Sequence, residues 1–539
     1  MSNKILKDPI YGYIEIPDEL IKDVIDTPGF QRLRRVVQTS YTPLYSSAVH
    51  NRFTHSIGVY HLGRLAIDSI LKKCDESVKS KVEEYRNFFL YACLLHDVGH
   101  APFSHTGECF YLVKEKDYSE LHERLVTLLG SANTLKKDLP DSDMKAAAPH
   151  EIMSAIIGLS QFTKLFKKNS YKEFFARCIT GYEYSDKNKT LENCLISLLN
   201  SKIIDVDKLD YLMRDTYMTG FSSVIIDYER LLSSLNIIND NGIEKLAFSK
   251  YAVSIIENVV YARDSEKKWI QIHPSVLYEI YLIQNALKNL IIKLDTKEKR
   301  LFSENALTNT GIKLKNGVSI RYLDDEDVLY LLKNKFSNEY YEKYIDRNKR
   351  MHPLWKSEAE YNALFSDQIG TDGSIKNKFS EAMEMTQQYV EKNSGGIINQ
   401  ELIERINSDL SEVENDTTLD NVTKTAQIKE KKNILKVLEP LRDFSRTNKI
   451  DFNFLLLHSK EFVSEFGSED FSTLPIYFYT SKDEVKIVDF GVAVSSLKAD
   501  KELKKNKKND FYFVYHNKTN IDFDKQDLAN NIIRSFILD

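Results

Sequence analysis

The sequence predicts a mainly α-helical protein with a small α+β region near its C-terminal end. Residues 18–235 and 252–300 are mostly helical in pattern, with SVLYEIYLIQNALKNLIIKL as the clearest amphipathic run. The nearly all-apolar run FFLYACLL before His96 predicts a buried helix. Three later segments, LPIYFYT, EVKIVDFGVAV and NDFYFVYHN, are rich in β-branched and aromatic residues and predict strands. At 539 residues the chain exceeds the usual size of one hydrophobic core, so we expect two or three structural units.

Composition divides the chain into three predicted regions. Residues 1–335 form the helical core, and residues 336–440 form a charged helical extension in which Leu402, Ile406 and Leu410 recur every four residues. Residues 441–539 form the small α+β region, whose last two predicted strands are separated by a lysine-rich segment. The lysines of that segment are Lys501, Lys504, Lys505, Lys507 and Lys508. We favour a solvated loop for this segment over a nucleic-acid contact, which stays open.

The overall composition excludes several classes of protein. Hydrophobic residues make up 42% and charged residues 28%, which is typical of a folded chain. With 74 basic and 79 acidic residues the net charge is −5, which does not favour a dedicated DNA-binding protein. The five cysteines lack paired metal spacing and fit reduced intracellular thiols. Because no signal core and no run of ~20 apolar residues is present, we expect a cytoplasmic protein without a membrane partner.

Histidines are concentrated in the first part of the chain, and they carry the clearest chemical signal. Seven of the 12 histidines lie within the first 122 residues. In LLHDVGHAPFSH, His96 and Asp97 are adjacent, while His55 lies in HNRFTHSIG and Asp207 in IIDVDKLDY. Taken one at a time, each residue is more often structural. Two imidazoles and two carboxylates together would hold a divalent metal and leave two octahedral positions for water and a phosphate oxygen, which predicts a hydrolytic site.

The order of the motifs resembles that of the HD-domain deoxynucleoside triphosphate (dNTP) triphosphohydrolases. This family includes bacterial enzymes and the vertebrate SAM-and-HD-domain restriction factor. RFTHSIG, HDVGHAPFSH, PHE at 149–151 and DVDKLDYLMRD follow in the family's order, flanked by KILKDPIYGYIEI, DTPGFQRLRRVVQ and YLDDEDVLYLL. The resemblance covers roughly residues 4–335 and is weaker over the last 200 residues. It implies an HD-domain helical core.

The resemblance implies specific roles at the centre of the site. His55, His96, Asp97 and Asp207 would bind a divalent metal, for which manganese, iron, magnesium, zinc and nickel all stay open. The implied acid/base set is His100, Glu108 and His150, with Glu108 standing where the family has aspartate. In the family reaction, water attacks the α-phosphorus and the deoxynucleoside 5′ oxygen leaves. That oxygen needs a proton donor, for which His150 and His100 are both candidates.

Further residues match the family's substrate contacts. Those implied to touch phosphate are Arg52, His105 and Lys208, and those implied to hold the sugar are Tyr211 and Asp215. Gln38 and Thr39 stand where the family checks the deoxyribose. For each of the three cations, the alternative role is a structural ion pair. Thr39 stands where many relatives have leucine, and its alternative is a core or surface role.

A second nucleotide site is implied near the N-terminus. Lys4, Asp26, Gln31 and Arg34 fall on family positions that bind an activating nucleotide between subunits. The alternative is a helix cap at Asp26 together with a surface arginine. If the site exists, we expect a homo-oligomer whose active state is selected by nucleotide binding.

Three functions are therefore compared. The expected one is dNTP hydrolysis to deoxynucleoside and triphosphate, serving nucleotide balance or dNTP depletion in antiviral defence. The second is another HD phosphohydrolase, such as a nucleotidase or phosphodiesterase, in which Lys208, Tyr211 and Asp215 would have no reason to recur. The third is a non-catalytic nucleotide sensor, which the retention of all four metal-type residues disfavours.

Overall fold

The structure is a computed structural model, and it describes most of the chain. The described residues are 3–111, 119–139, 147–221, 224–294, 301–314, 317–334, 336–369, 373–459, 464–480, 485–494, 511–517 and 524–537. They form two compact units. The first contains Met1–Lys267, Leu282–Tyr341 and Ser464–Lys501, and the second contains Lys268–Tyr281, Glu342–Val463 and Glu502–Asp539. The predicted division into three consecutive regions stays a prediction, and the lysine run at 501–508 lies outside the described residues.

The first unit is built mainly from α-helices. Its α-helices are Asp18–Leu20, Pro28–Gln31, Arg52–Leu71, Glu76–Leu95, His105–Glu108, Ser119–Leu129, Leu135–Asp138, Pro149–Gln161, Asn169–Thr180, Thr190–Leu199, Val206–Thr219, Tyr228–Ser233, Val253–Glu266, Glu304–Leu307, Asp325–Asn334, Glu469–Ser472 and Phe490–Ala493. Helix Pro274–Lys293 contributes residues to both units. The predicted helical run over 252–300 is interrupted by a π-helical segment at Lys267–Gln271 and restarts at Pro274, because proline favours the first turn of a helix.

Two of the helices carry the core of the first unit. The His55 helix, Arg52–Leu71, begins after Asn51, whose side chain accepts a hydrogen bond from the amide of Thr54. It is buried around most of its circumference. The Asp207 helix, Val206–Thr219, packs against it, and a Cβ at Gly58 would lie 1.8 Å from Asp210 Oδ1. Glycine at position 58 therefore permits the close approach of the two helices.

The first unit also contains β-structure. The N-terminal hairpin pairs Asn3–Asp8 with Gly12–Pro17 in antiparallel register, with Asn3 opposite Pro17. A four-stranded sheet has the order Val485–Asp489, Pro475–Tyr479, Ile243–Ser249, Leu235–Asp240, in which the central pair is parallel. Strands Ile312–Lys313 and Ser319–Ile320 form a small separate pair. Two of the three predicted C-terminal strands therefore belong to this unit.

The second unit combines long helices with one antiparallel sheet. The sheet order is His352–Pro353, Phe511–His516, Asn453–Ser459, Ile397–Asn399. Its helices are Glu358–Ile369, Gly373–Ser394, Gln400–Asn415, Asn421–Thr447 and Lys525–Ile537. The helix predicted over 400–440 is two helices, because Asp420 caps a new start by accepting from the amides of Val422 and Thr423.

Helices dominate the described residues, and the predicted mainly α fold with α+β structure toward the C-terminal end is confirmed. Among those residues no helix is both long and apolar enough to cross a membrane.

Candidate metal centre and active site

Four side chains that the sequence singled out as metal donors meet in the first unit. His55 lies in the first turn of its helix, His96 and Asp97 directly follow helix Glu76–Leu95, and Asp207 lies in the first turn of the Asp207 helix. Three helix ends therefore converge on one point. Asp207 is the most accessible of the four, with 34% of its side chain exposed, while His55 is 1% exposed. The centre is therefore buried but open on the Asp207 side.

The donor atoms of His55, His96 and Asp207 lie at separations that suit one ion. His55 Nε2 is 2.9 Å from Asp207 Oδ1 and 3.2 Å from His96 Nε2, and His96 Nε2 is 3.5 Å from Asp207 Oδ1. Donors bound to one ion at about 2.1 Å are separated by roughly 3 Å, so these three fit a divalent metal. Asp97 is adjacent, with Oδ2 3.5 Å from His55 Nε2 and Oδ1 3.5 Å from His96 Nε2, and its place in the ligand set stays a prediction.

In His55 and His96, the ring nitrogen Nδ1 lies within hydrogen-bond distance of an acceptor outside the donor set. His55 Nδ1 lies 2.7 Å from Asp210 Oδ2, and His96 Nδ1 lies 2.9 Å from the carbonyl oxygen of Cys93. Both partners are hydrogen-bond acceptors, so the hydrogen is assigned to Nδ1 in each ring. This arrangement leaves both Nε2 atoms able to bind a metal.

The charges of the centre favour a bound cation. Burial opposes protonation of His55, but hydrogen bonds with Asp207 and Asp210 outweigh it and raise the pKa of His55 to about 10. Burial likewise opposes ionisation of Asp207, but His55 and His96 hold the pKa of this carboxyl well below its usual range. The negative carboxylates therefore attract positive charge into the space between the donors.

A second cluster of titratable groups is formed by His100, His105, Glu108 and His150. Glu108 Oε2 lies 2.6 Å from His150 Nδ1, and Glu108 Oε1 lies 3.2 Å from His105 Nδ1. The ring of His100 stacks on that of His150 with centroids 4.1 Å apart. The donor atoms of the four lie within 4.8 Å of one another, so this cluster could also hold a metal. The extra methylene of Glu108 does not prevent it from reaching both histidines.

The two histidines left open as proton donors differ in environment. Burial lowers the pKa of His100 well below its usual value, and the positive charges of Arg52 and His150 lower it further. Burial opposes protonation of His150 as well, but the hydrogen bond to Glu108 outweighs it and raises the pKa. His100 Nε2 lies 3.2 Å from Asp97 Oδ1, yet neither ring nitrogen makes a hydrogen bond to the described residues.

The predicted phosphate contacts occupy three different settings. Arg52 is buried and binds Asp97 Oδ2 at 2.8 Å and Ser104 Oγ at 2.9 Å. Lys208 Nζ binds Asp205 Oδ2 and the carbonyl oxygen of Ser201, both at 2.7 Å. The side chain of His105 is 63% exposed. Arg52 and Lys208 thus form ion pairs within the protein, which was the alternative to a phosphate contact. Their phosphate contacts stay predictions.

The predicted sugar contacts lie beside the Asp207 helix. Tyr211 and Asp215 follow Asp207 on that helix, and Asp215 Oδ1 is 2.6 Å from His50 Nε2. Gln38 Oε1 and Thr39 Oγ1 are buried and make no hydrogen bond to the described residues. Two adjacent polar atoms of this kind are expected where a ligand supplies the missing hydrogen bonds.

The residues of the predicted activator site form two pairs. Lys4 Nζ lies 3.9 Å from Asp26 Oδ2, with both side chains more than half exposed. Arg34 Nε donates to Gln31 Oε1 at 2.9 Å. Asp26 is the C-cap of the π-helical segment Ile21–Ile25, while Thr27 is the N-cap of helix Pro28–Gln31, so Asp26 caps the preceding segment and not the helix that follows.

The sequence analysis did not identify several residues that support the centre. The supporting residues are Asp8, Tyr11, Arg32, His50, Asp210, Arg214 and Asp325. Asp210 and Arg214 could have been recognised, because they follow Asp207 at helical spacing and pair as residues four apart. His50 begins the motif HNRFTHSIG that contains His55, whereas Asp8, Tyr11, Arg32 and Asp325 lie outside the motifs that carry the metal donors.

The sequence is similar to those of several known proteins. The profile of the HD domain family matches residues 52–175. The chain is 32% identical over 273 residues to the Dictyostelium discoideum "Deoxynucleoside triphosphate triphosphohydrolase SAMHD1 homolog", covering 50% of this chain and 46% of that protein. It is 28% identical over 276 residues to the human protein "Deoxynucleoside triphosphate triphosphohydrolase SAMHD1", covering 49% of this chain and 40% of that protein. It is 29% identical over 276 residues to the "Uncharacterized protein YwfO" of Bacillus subtilis, covering 51% and 52%.

The chain thus carries an HD domain. The chain is also similar to proteins named as dNTP triphosphohydrolases, so the resemblance seen in the motif order is confirmed. The chain spans about half the length of the curated relatives it matches. The fold as a whole resembles the crystal structure of a hypothetical protein from Aquifex aeolicus, with a TM-score of 0.55, 19% identity, and coverage of 98% of this chain and all of that one.

Proposed function

We propose that this protein is a metal-dependent hydrolase that converts dNTPs to deoxynucleoside and inorganic triphosphate. The observation that carries the proposal is the convergence of His55, His96, Asp97 and Asp207. The histidine–glutamate cluster of the same helical unit supplies candidate proton donors. The relatives named as dNTP triphosphohydrolases support this substrate class.

The proposed metal ligands are those four residues. When bound, a divalent metal supplies positive charge that polarises a phosphate oxygen and favours ionisation of water. Asp210 and the Cys93 carbonyl orient the two histidine ligands from behind. Metal binding must displace any proton from His55 Nε2, so we expect metal affinity to rise with pH.

His150 is the proposed general acid. Its Nδ1 is engaged by Glu108, so the proton available for transfer is the one on Nε2. In the net reaction, the oxygen of water bonds to the α-phosphorus and the bond from phosphorus to the 5′ oxygen breaks. The 5′ oxygen takes the proton from His150, and the proton released by the water restores the histidine. His100, held neutral beside His150, is proposed to accept or donate a hydrogen bond to the substrate.

Binding of the triphosphate is proposed to involve Arg52, Lys208 and His105. Arg52 pairs with the proposed metal ligand Asp97. Its positive charge therefore lies near the proposed metal, to which a phosphate oxygen would bind. Tyr211 and Asp215 are proposed to hold the sugar. The unpaired polar atoms of Gln38 and Thr39 are proposed to read its 2′ and 3′ positions.

The proposal also covers the regulation of the protein and its biological role. We propose a cytoplasmic homo-oligomer in which Lys4, Asp26, Gln31 and Arg34 bind an activating nucleotide. Depletion of dNTPs would then serve nucleotide balance or antiviral defence.

The test is an assay of purified protein with Mn²⁺ against each dNTP singly and in mixtures, with products separated by ion-pair chromatography. We expect deoxynucleoside and intact triphosphate, and activity confined to mixtures would support an activator site. Release of monophosphate or inorganic phosphate would instead assign another HD phosphohydrolase activity. Nucleotide binding without turnover in any mixture would favour the sensor.

A further inference from the structure

The turn of the N-terminal hairpin is shaped by one aspartate. Asp8 Oδ1 accepts hydrogen bonds from the amides of Ile10 at 2.8 Å and Tyr11 at 3.1 Å. Gly12 follows with φ of +76°, a left-handed conformation that glycine adopts without strain. The segment DPIYG therefore forms a defined turn, and this turn fixes the backbone of Tyr11.

Tyr11 reaches from this turn to the support of the metal centre. Its hydroxyl donates to Asp210 Oδ1 at 2.6 Å, and its ring packs against His61 and Tyr228. Asp210 is fully buried on the Asp207 helix. The hydrogen bond joins residues 199 positions apart in the sequence.

Asp210 connects Tyr11 to a proposed metal ligand. Its Oδ2 lies 2.7 Å from His55 Nδ1, and it receives Arg214 Nε at 2.9 Å and Arg214 Nη2 at 3.0 Å. Arg214 Nη1 returns to Asp8 Oδ2 at 3.1 Å. Asp8, Tyr11, Asp210 and Arg214 thus form a closed ring of hydrogen bonds behind His55.

We propose that the N-terminal hairpin is part of the metal centre, with Tyr11 acting through Asp210 as a positioning residue that fixes the ring of His55 and thereby sets metal affinity. The inference rests on the proposed metal site. Without the hydroxyl, Asp210 loses one of the bonds that hold its carboxylate against His55 Nδ1. The imidazole then has more freedom to rotate, and the orientation needed by Nε2 is less populated. Loss of such a supporting partner typically weakens metal binding by about 10- to 100-fold.

The test compares Tyr11→Phe with a matched control. Tyr85 is also a buried tyrosine of this unit, and its hydroxyl donates to Glu192 Oε1 at 3.1 Å without touching the metal centre. Tyr85→Phe therefore removes the same kind of bond elsewhere. Binding of Mn²⁺ to metal-free protein is measured by equilibrium dialysis, the visible spectrum of the Co²⁺ form reports the ligand geometry, and urea unfolding of the metal-free protein reports stability.

We expect Tyr11→Phe to raise the Kd for Mn²⁺ by about tenfold or more and to change the Co²⁺ spectrum, while Tyr85→Phe changes neither. Both variants should lose similar stability. Unchanged Mn²⁺ affinity in Tyr11→Phe, or an equal loss in Tyr85→Phe, would overturn the inference. Failure of the unsubstituted protein to bind Mn²⁺ would instead refute the proposed metal site, so the two failures are distinguishable.

A second variant serves as the test if Tyr11→Phe does not fold. Asp8→Asn keeps a side-chain oxygen to shape the turn but removes the negative charge opposite Arg214. We expect a smaller weakening of Mn²⁺ binding in the same direction. Unaltered affinity in this variant, if Tyr11→Phe does not fold, would overturn the inference.

Discussion

At the scale of single residues, the pairing of Glu108 with His150 decides the protonation of the proposed general acid. Glutamate replaces the family's aspartate at position 108, and its oxygens contact both His105 and His150. Burial alone would keep His150 neutral, so the raised pKa of His150 depends on Glu108. Because a raised histidine pKa extends the charged form to higher pH, we expect activity to fall only above the ordinary histidine range.

Glu108→Gln tests this dependence. The amide keeps the size of the side chain but removes the charge, so the pKa of His150 should fall. The alkaline limb of the pH profile of kcat should move to lower pH, and kcat at pH 8 should fall by at least tenfold. Glu304→Gln, which removes a carboxylate paired with Arg124 in the same unit, is the control and should leave the profile unchanged. An unshifted alkaline limb in Glu108→Gln would contradict the assignment.

Replacing two proposed ligands at once tests the metal centre. His96→Ala with Asp97→Ala removes one imidazole and one carboxylate, so bound metal and activity should both be lost. Metal content after dialysis and helix content by circular dichroism are the measurements. The helices should remain, because the helix before His96 is held by its apolar face. Turnover by a folded double variant would refute the centre.

At the scale of elements, a turn in the HD motif is held in a conformation that side chains rarely adopt. Phe103 and Ser104 have φ of +60° and +52°. Asp325 Oδ1 accepts from the amide of Phe103 at 2.7 Å, and Asp325 Oδ2 accepts from the amide of Val37 at 2.9 Å. One carboxylate thus ties the turn that carries Ser104, a partner of Arg52, to the segment before Gln38.

Asp325→Ala should release this turn. Two amides lose their acceptor, which costs about 1–3 kcal/mol for each one left unsatisfied, so the free energy of unfolding should fall by at least that amount. The KM for substrate should rise because Arg52 and Gln38 lose their common support. Urea unfolding and steady-state kinetics measure the two effects, with Glu326→Ala on the same helix, whose side chain is 73% exposed, as control. A variant with normal stability would argue against the role of Asp325.

The approach of the His55 and Asp207 helices depends on Gly58. A methyl group there would meet Asp210 Oδ1 at 1.8 Å and Arg214 Nη2 at 2.5 Å, so Gly58→Ala should separate the helices. We expect a loss of about 1–3 kcal/mol in the free energy of unfolding and weaker Mn²⁺ binding. In Gly29→Ala the nearest atoms are 3.8 Å away, so this control should unfold at nearly the same urea concentration. Equal effects in both variants would contradict the argument.

The sequence was informative about elements with strong local signals. A nearly all-apolar run predicted the helix that ends at Leu95, and β-branched and aromatic residues predicted the strands near residues 475, 485 and 511. It missed the hairpins Asn3–Pro17 and Leu235–Ser249, although Asn241–Gly242 is a typical hairpin turn, with φ of +54° and +87°. Motif order indicated the four residues that converge at the centre. The partners behind them come from segments up to about 200 residues away, and such contacts have no local pattern.

At the scale of the whole molecule, the compact units do not follow the order of the chain. The first unit takes its last segment from Ser464–Lys501, and strand Pro475–Tyr479 pairs with Ile243–Ser249. The region proposed as a C-terminal appendage therefore completes a sheet of the unit that holds the metal centre.

Two truncations test this interdependence. A chain ending at residue 440 loses strands Pro475–Tyr479 and Val485–Asp489 from the sheet, whereas one ending at residue 494 retains both. We expect the shorter chain to bind Mn²⁺ more weakly and to unfold at lower urea concentration than the longer one. Mn²⁺ dialysis and urea unfolding measure this difference, and equal behaviour of the two chains would show that the strands are dispensable.

The spread of the metal donors along the chain has a consequence for biosynthesis. His55 and Asp207 are 152 residues apart, and Asp210 and Arg214 follow later still. During translation the full donor set exists only after the Asp207 helix has left the ribosome. The proposed ion can therefore be bound by all four donors only after that point, when the N-terminal hairpin has already been synthesised.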